Sequence, residues 1–282
     1  LTKEADYLLV RLREMGSRIH DELKPISSTV EIPHDELEKL ISYFMKGDIE
    51  LIFLKIVQQF TPRKNEVKKR MFELAKTTPL SYLLSTSLQD SKGRVIATIG
   101  SLEDDIDGNL IRDLSQTLSI QAVLLRLVFS RLREEKTIDV DNIISFIEKS
   151  PIFEKSRIEI IRKGLEAYFE DSLIVAIHLL IPQIEESIRN LIEQSGGVVL
   201  KISRNGGYQL KTFDELLRDD IIQKVFGEDI QIYLKVLFTD QRGWNLRNDV
   251  CHGTCDLHSF SYQAAERVIH VLLILGTLRK SD

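Results

Sequence analysis

The stretch KSRIEIIRKGLEAYFEDSLIVAIHLLIPQIEESIRNLIEQ (155–194) decides the fold class. Its apolar residues recur three and four apart, the period of a helix with one buried face. The spacing predicts one amphipathic helix over 155–170 and a second opening at Ser172, a residue type that caps well. The second continues to Gly196–Gly197 with a kink expected at Pro182.

Working toward the C-terminus, VVLKISRNGGYQLK (198–211) begins with β-branched residues and turns at Asn205-Gly206-Gly207. It reads as a small hairpin. Thr212-Phe213-Asp214-Glu215 has the capping-box pattern and opens a short helix. A third long helix fits 228–239, and a fourth fits 260–279 with Ser259 as its cap. Four long helices and one insertion predict a helical bundle over 151–282.

Toward the N-terminus the helices are shorter and less regular. Tyr7, Leu8, Val10, Leu12 and Met15 recur with helical period before Pro25. HDELEKLISYFMKG (34–47) ends at Gly47, DIELIFLKIVQQF (48–60) stops before Pro62, and PRKNEVKKRMFELAK (62–76) carries proline in its first turn. Helical segments also fit 110–118, 120–133 and 139–149. GRVIATIGS (93–101) is a short strand or extended loop. The expected fold is therefore all-α: an irregular helical array over 1–150, a scaffold or regulatory region, then the bundle, with an edge at Ser150-Pro151. The chain opens on Leu1 without a signal peptide, which reads as a fragment lacking an upstream domain.

Composition excludes several functions. The 282 residues carry 38 Lys/Arg and 43 Asp/Glu, a net charge of −5. A net-acidic chain does not coat nucleic acid through bulk electrostatics, so a nucleic-acid site must be local. The longest apolar run, VIHVLLILGTL, is about half of what a bilayer crossing needs, so no membrane partner is expected. Two cysteines and no N-x-Ser/Thr acceptor point to a reducing cytoplasm. Glu103, Asp105, Asp107 and Gly108 imitate an EF-hand opening, but the twelfth position is Leu114 where a bidentate Glu belongs. That segment reads as a solvated acidic loop before a helix.

The chemistry concentrates in WNLRNDVCHG (244–253). Arg247 is a permanent cation whose fork matches a phosphate, and a histidine such as His252 titrates near neutrality. Asn248 can hold a ligand or orient the imidazole. Arg and His with no carboxylate cluster suit metal-independent attack by an RNA 2′-hydroxyl on the adjacent phosphate. On a regular helix, however, residues five apart point about 140° from each other. Arg247 and His252 then converge only if the helix breaks near His252, as Gly253 allows, or if two copies face one another.

Arg247-Asn248-x-x-x-His252-Gly253 resembles the RNxxxHG signature of a family of uncharacterised bacterial and eukaryotic domains. It is also similar to the Arg-x4–6-His motif of the HEPN superfamily of helical-bundle ribonucleases and nucleotide-binding proteins. The likeness extends over about 160–280 and includes AIHLLIPQIEESIRNLI, RNGGYQLKTFDELL and TDQRGWNLRNDVCHG. It implies a HEPN-like four-helix bundle and an endoribonuclease that needs no metal or cofactor, in a toxin or antiphage defence setting. It also implies RNA as substrate, a homodimer through the C-terminal bundle and a regulatory protein as a further partner. Arg247, Asn248 and His252 would be catalytic. Glu185 is the candidate polar residue facing the motif from the second helix. Some relatives carry a modifiable Tyr two residues after the His; Thr254 stands there, so that mode of control does not carry over. A non-catalytic module using the same cleft to sense a nucleotide or to dimerise is the alternative.

Plainer readings stand beside each residue. Arg247 can pair with Asp240 or Asp249, and His252 can cap helix carbonyls. His178 and Glu185 share a helix face and fit a buried polar pair better than a catalytic dyad. Cys251, His252, Cys255 and His258 lie within eight residues without two separated ligand pairs, so no zinc site is expected. Lys201, Arg204 and Lys211, with no acid between them, can contact phosphate or form a solvated loop. Trp244 can stack a base or anchor helix packing. His20, His34 and His270 read as structural. Residues 151–282 hold 16 Lys/Arg and 19 Asp/Glu. RNA attraction would therefore fall to a local cleft with Arg242 and Arg247, completed by pairing or a trigger.

Overall fold

The computed structural model describes residues 2–22, 33–90 and 92–279; Pro25 and the side chain of His20 lie outside them. The chain is mostly helical, with two small antiparallel hairpins. In order it forms α1 (Thr2–Glu22), α2 (His34–Phe44), α3 (Ile49–Phe60), α4 (Lys64–Thr77) and α5 (Leu80–Leu83). Strands β1 (Thr86–Gln89) and β2 (Val95–Ile99) follow, then α6 (Ile106–Glu134) and α7 (Val140–Ile147). The remainder is α8 (Lys155–Phe169), α9 (Leu173–Gln194), β3 (Leu200–Ile202), β4 (Tyr208–Leu210), α10 (Phe213–Leu217), α11 (Asp220–Phe238), α12 (Leu246–His252) and α13 (Tyr262–Leu275). Among the described residues, no helix is long and apolar enough to cross a membrane.

Local signals explain most of these boundaries. Asp48, Asp139 and Asp219 each accept a hydrogen bond from a backbone N–H of the turn they start. Asp105 does the same for α6, taking the Gly108 N–H at 2.8 Å, so the EF-hand mimic is a helix cap. Thr212 and Glu215 form the capping box that the sequence predicts.

Several boundaries differ from the sequence reading. The segments expected at 110–118 and 120–133 are one continuous helix, α6, because its apolar face runs on without interruption from Leu110 to Leu132. Pro62 precedes the N-cap Arg63 instead of lying in the first turn of α4. The limits of α9 fall where expected, with Ser172 at its N-cap and Pro182 inside the helix, although the Ser172 side chain makes no capping bond. The third long helix starts earlier than expected, at Asp220, and is broken at Gly227, whose φ of 82° leaves the helical region. Ser261, not Ser259, caps α13, since Ser259 ends a short 3₁₀ turn at Leu257–Ser259. The strand expected at 93–101 is β2, and its partner β1 carried no signal of its own.

The core is built around α13. It packs on α9, α6, α3 and α7, while α8 lies along α9 and α4 along α6. One apolar cluster runs from Phe44 through Phe129 and Ile184 to Leu275, joining helices from both sides of Ser150. Three ionisable residues of α13 are wholly buried in it. Arg267 donates to the carbonyls of Phe60 (2.9 Å) and Leu118 (3.0 Å). Glu266 accepts from Arg126 (2.7 Å) and Tyr168 (2.8 Å). His270 meets the Tyr233 hydroxyl at 2.9 Å, and burial pushes its pKa down to about 3. Burial also raises the pKa of Glu266, against the opposing bonds from Arg126 and Tyr168.

Candidate functional site

The segment 239–253 is folded tightly onto the end of α11. The Trp244 N–H donates to the Val236 carbonyl at 2.8 Å, and a Cβ on Gly243 would meet that same oxygen at 2.3 Å. Only glycine fits that close approach. Trp244 is half-buried against the core, the position of a packing anchor. Asn245 takes a left-handed conformation (φ 50°), and α12 then runs unbroken through His252 to Gly253, left-handed at φ 65°. Gly253 therefore ends the helix after His252 and does not fold the histidine back onto Arg247.

Arg247 is oriented by a neighbouring helix. Its Nε donates to Glu185 Oε2 of α9 at 3.0 Å, and its Nη1 reaches Asn248 Oδ1 at 3.4 Å. Both side chains of the ion pair are largely shielded, 23% exposed for Arg247 and 15% for Glu185. The other Glu185 oxygen accepts from Arg189 Nη2 at 3.2 Å, and Arg189 also pairs with Glu186. Arg247 thus pairs with Glu185 rather than with Asp240 or Asp249. Asn248 donates to the Thr239 carbonyl (3.2 Å) and to Asn245 Oδ1 (2.8 Å), tying α12 to the end of α11. Asp249 Oδ1 accepts from Asn245 Nδ2 (3.2 Å) and Thr254 Oγ1 (2.8 Å).

His252 is exposed at the end of α12, and its ring makes no hydrogen bond to any described residue. Within one chain, the motif is an anchored cation and a free imidazole on one continuous helix. At about 100° per residue they diverge.

The other residues singled out by sequence are placed as follows. His178 is exposed, with Nδ1 against its own Ile174 carbonyl (2.8 Å) and its ring stacked on Phe260 at 5.3 Å. The buried His178–Glu185 pair is not formed, since seven residues of helix separate them by roughly 10 Å along the axis. Arg242 makes a two-point contact with Asp240, Nε–Oδ1 at 3.0 Å and Nη2–Oδ2 at 2.8 Å. That bond raises the pKa of Arg242; at Asp240 burial is the largest influence and works upward, but the Arg242 side-chain and backbone bonds and the charges of Arg242 and Lys235 together hold the carboxyl below its ordinary value.

The hairpin β3–β4 forms as predicted, closed by a loop over Ser203–Gly207. Its cations are less available than the sequence suggests. Lys201 Nζ bonds both Glu215 oxygens (2.8 and 2.6 Å), and Lys211 pairs with Asp219 at 3.6 Å. Acids distant in the local pattern are delivered by α10 and the turn after it. Arg204 alone of the three has no ion pair among the described residues. Among the described residues, no cluster of three or more His, Cys, Asp or Glu side chains could hold a metal. Cys251 is exposed, and burial pushes the Cys255 thiol up. The sequence reading passed over Arg189, which shares Glu185 with Arg247. Its i, i+4 spacing from Glu185 on α9 was the available signal.

No protein-family model, curated protein or solved structure matches this chain. The site offers a half-buried guanidinium fixed at one side, an amide hub at Asn248 and an accessible imidazole. Those groups can bind a phosphate and move a proton. Among the described residues, no metal-holding group of three or more His, Cys, Asp or Glu side chains accompanies them.

Proposed function

We propose that the chain is a metal-independent endoribonuclease of HEPN type that acts as a pair of copies. The observation that carries this reading is the contrast between Arg247, held by Glu185 and Asn248, and His252, free and exposed on the same helix. A fixed cation stabilises charge that develops on a phosphorane without reorganising, and a free imidazole is available to exchange protons. Because the two point apart on one α12, the reaction uses Arg247 and His252 from facing copies.

In the proposed step, His252 accepts the proton of an RNA 2′-hydroxyl as its oxygen attacks phosphorus. The bond to the 5′-oxygen breaks, and that oxygen leaves protonated by imidazolium. The products are a 2′,3′-cyclic phosphate and a 5′-hydroxyl end. Arg247 offsets charge on the non-bridging oxygens while Asn248 and Glu185 keep it aimed.

A second reading draws on the Glu185 contact as well. An arginine already paired with a carboxylate must share its charge with any phosphate, which suits a non-catalytic module that senses a nucleotide or dimerises. Incubating purified protein with single-stranded RNA in EDTA separates the two. Cleavage with cyclic phosphate ends, lost in His252→Ala, supports the nuclease. Nucleotide binding or stable dimerisation without cleavage at any protein concentration supports the module.

A further inference from the structure

A cleft of about 580 Å³ lies between the β1–β2 hairpin and the C-terminal end of α12. Its size is within the roughly 300–1,000 Å³ of small-molecule sites. The hairpin lies outside the stretch that carries the RNxxxHG resemblance. The opposite wall includes Asn245, Asp249 and Gly253, which belong to the motif segment itself.

The two walls carry opposite charge. On the hairpin, Arg94 is neutralised by Asp90 (Nε–Oδ2 at 2.6 Å), whereas Lys92 is exposed and has no ion pair among the described residues. Across the cleft stand Asp249 and Asp256, neither in an ion pair among the described residues. Asp249 Oδ1 accepts from Asn245 and Thr254, and Asp256 Oδ1 accepts from Ser259, with the His258 backbone and ring also favouring its charged form. Each keeps Oδ2 open. The amides of Gln89 and Gln241 also line the cleft, exposed and without a side-chain hydrogen bond to any described residue.

Such a cleft selects for a dipolar ligand. A ligand with both signs fits the two walls, its anion toward Lys92 and its donors toward the carboxylates. Open carboxylate oxygens call for adjacent N–H donors at one end of the ligand, and Lys92 calls for an anion at the other. Guanine presents N1–H and the N2 amine side by side. Adenine and cytosine place an acceptor nitrogen beside their amine, and uracil flanks its N–H with two carbonyls.

We propose that this cleft binds a guanine nucleotide, with the base edge on Asp249 and Asp256 and the phosphate on Lys92. Its role in reading the base beside the scissile phosphate rests on the ribonuclease reading above; the binding itself does not. The N-terminal hairpin then supplies part of the specificity of the C-terminal motif.

The test is equilibrium binding of GMP, AMP, CMP, UMP, guanosine and inorganic phosphate to the full chain carrying His252→Ala, which prevents turnover. GMP should bind at least about tenfold more tightly than AMP, since a site built to accept two donors rejects a ligand that lacks them. Lys92→Ala should weaken GMP about fivefold or more while leaving guanosine unchanged, as expected for loss of one charged contact. Asp256→Asn should remove the preference for GMP over AMP. Because Asp256 also caps a 3₁₀ turn, Gln241→Ala serves as a second variant that leaves every cap in place, and it should weaken GMP more than phosphate. Equal affinity for the four nucleotides, competition by inorganic phosphate alone, or indifference to Lys92→Ala would each overturn the proposal. GMP binding without RNA cleavage by the unsubstituted chain would refute the nuclease and leave this site standing. Cleavage without GMP binding would do the reverse.

Discussion

Arg247 Nε donates to Glu185 Oε2 at 3.0 Å, joining the motif helix α12 to the long helix α9 across 62 residues of sequence. Both groups are shielded enough for the contact to matter, and Glu185 is shared with Arg189.

Glu185→Gln should therefore lower stability by about 1.5–3 kcal/mol, the range for a hydrogen bond to a charged group. It should lower RNA cleavage more than its stability loss explains, because Arg247 is no longer aimed. A double-mutant cycle of Glu185→Ala with Arg247→Ala, read by urea denaturation, should give a coupling energy above about 0.5 kcal/mol. Strict additivity would mean that the pair does not hold the motif.

On the ribonuclease reading, His252→Ala should separate catalysis from stability. The His252 ring is exposed and makes no hydrogen bond to any described residue, so His252→Ala should change unfolding free energy by less than about 0.5 kcal/mol. Cleavage should fall by about 10²–10⁴-fold, the range for loss of a general acid or base. Single-turnover kinetics in EDTA beside a thermal melt would show it. Unchanged cleavage would remove His252 from the mechanism.

Arg267 should behave oppositely. Its guanidinium is fully buried and satisfies the Phe60 and Leu118 carbonyls. Arg267→Met takes the donor from the Phe60 carbonyl at the end of α3 and a second bond from the Leu118 carbonyl, which α6 already pairs within its own helix, so a loss of about 1–3 kcal/mol is expected. Denaturant titration provides the measurement, and a loss below about 1 kcal/mol, typical of an ordinary substitution, would contradict it.

Acid should destabilise the fold through His270. Burial holds it neutral, with a folded pKa of about 3 against an ordinary value of 6.5. Between those values the unfolded chain binds the extra proton, so its stabilisation is complete above pH 6.5 and declines as pH falls toward 3. Tyr233 and the Arg267 cation face the ring, and the latter reinforces the neutral form. The urea midpoint of the native chain should fall steadily over that window. His270→Gln should reduce the slope there, and an identical slope in both proteins would assign the acid sensitivity to other groups.

Residues 151–282 should not fold alone. The apolar surface that α13 buries against α3 and α6 would face water, and Arg267 would lose both carbonyl partners. Circular dichroism and size-exclusion chromatography of that fragment should report an unfolded or aggregated chain. A monomeric, cooperatively melting fragment would show that the C-terminal helices are self-sufficient.

Local patterns made much of this legible before folding. The 3.6-residue period identified α8, α9 and the second half of α11, while Thr212 and Glu215 announced their capping box. Gly253 marked the end of α12 for the same reason: conformational preference acts within a few residues. Strand β1 was invisible because TSLQ carries one apolar residue and no hydropathy alternation of its own, and its partner β2 lies further along the chain. The break expected inside α6 was misjudged because a continuous buried face outweighed weaker local stop signals, and the start of α13 because Ser259 ends a separate 3₁₀ turn.

The site divides along the same line. Sequence by itself determined which chemistry is available, since a guanidinium, an amide and an imidazole within six residues have fixed protonation and bonding capacities. It also determined that a regular helix sends Arg247 and His252 in different directions. Only the tertiary structure decided which charges remain free. Glu185 claims Arg247, Asp240 claims Arg242, and Glu215 and Asp219 claim Lys201 and Lys211, while His252 and Lys92 have no ion pair among the described residues. Ion pairing depends on distances of a few ångströms between side chains, and those distances are set by how helices pack rather than by their order in the chain.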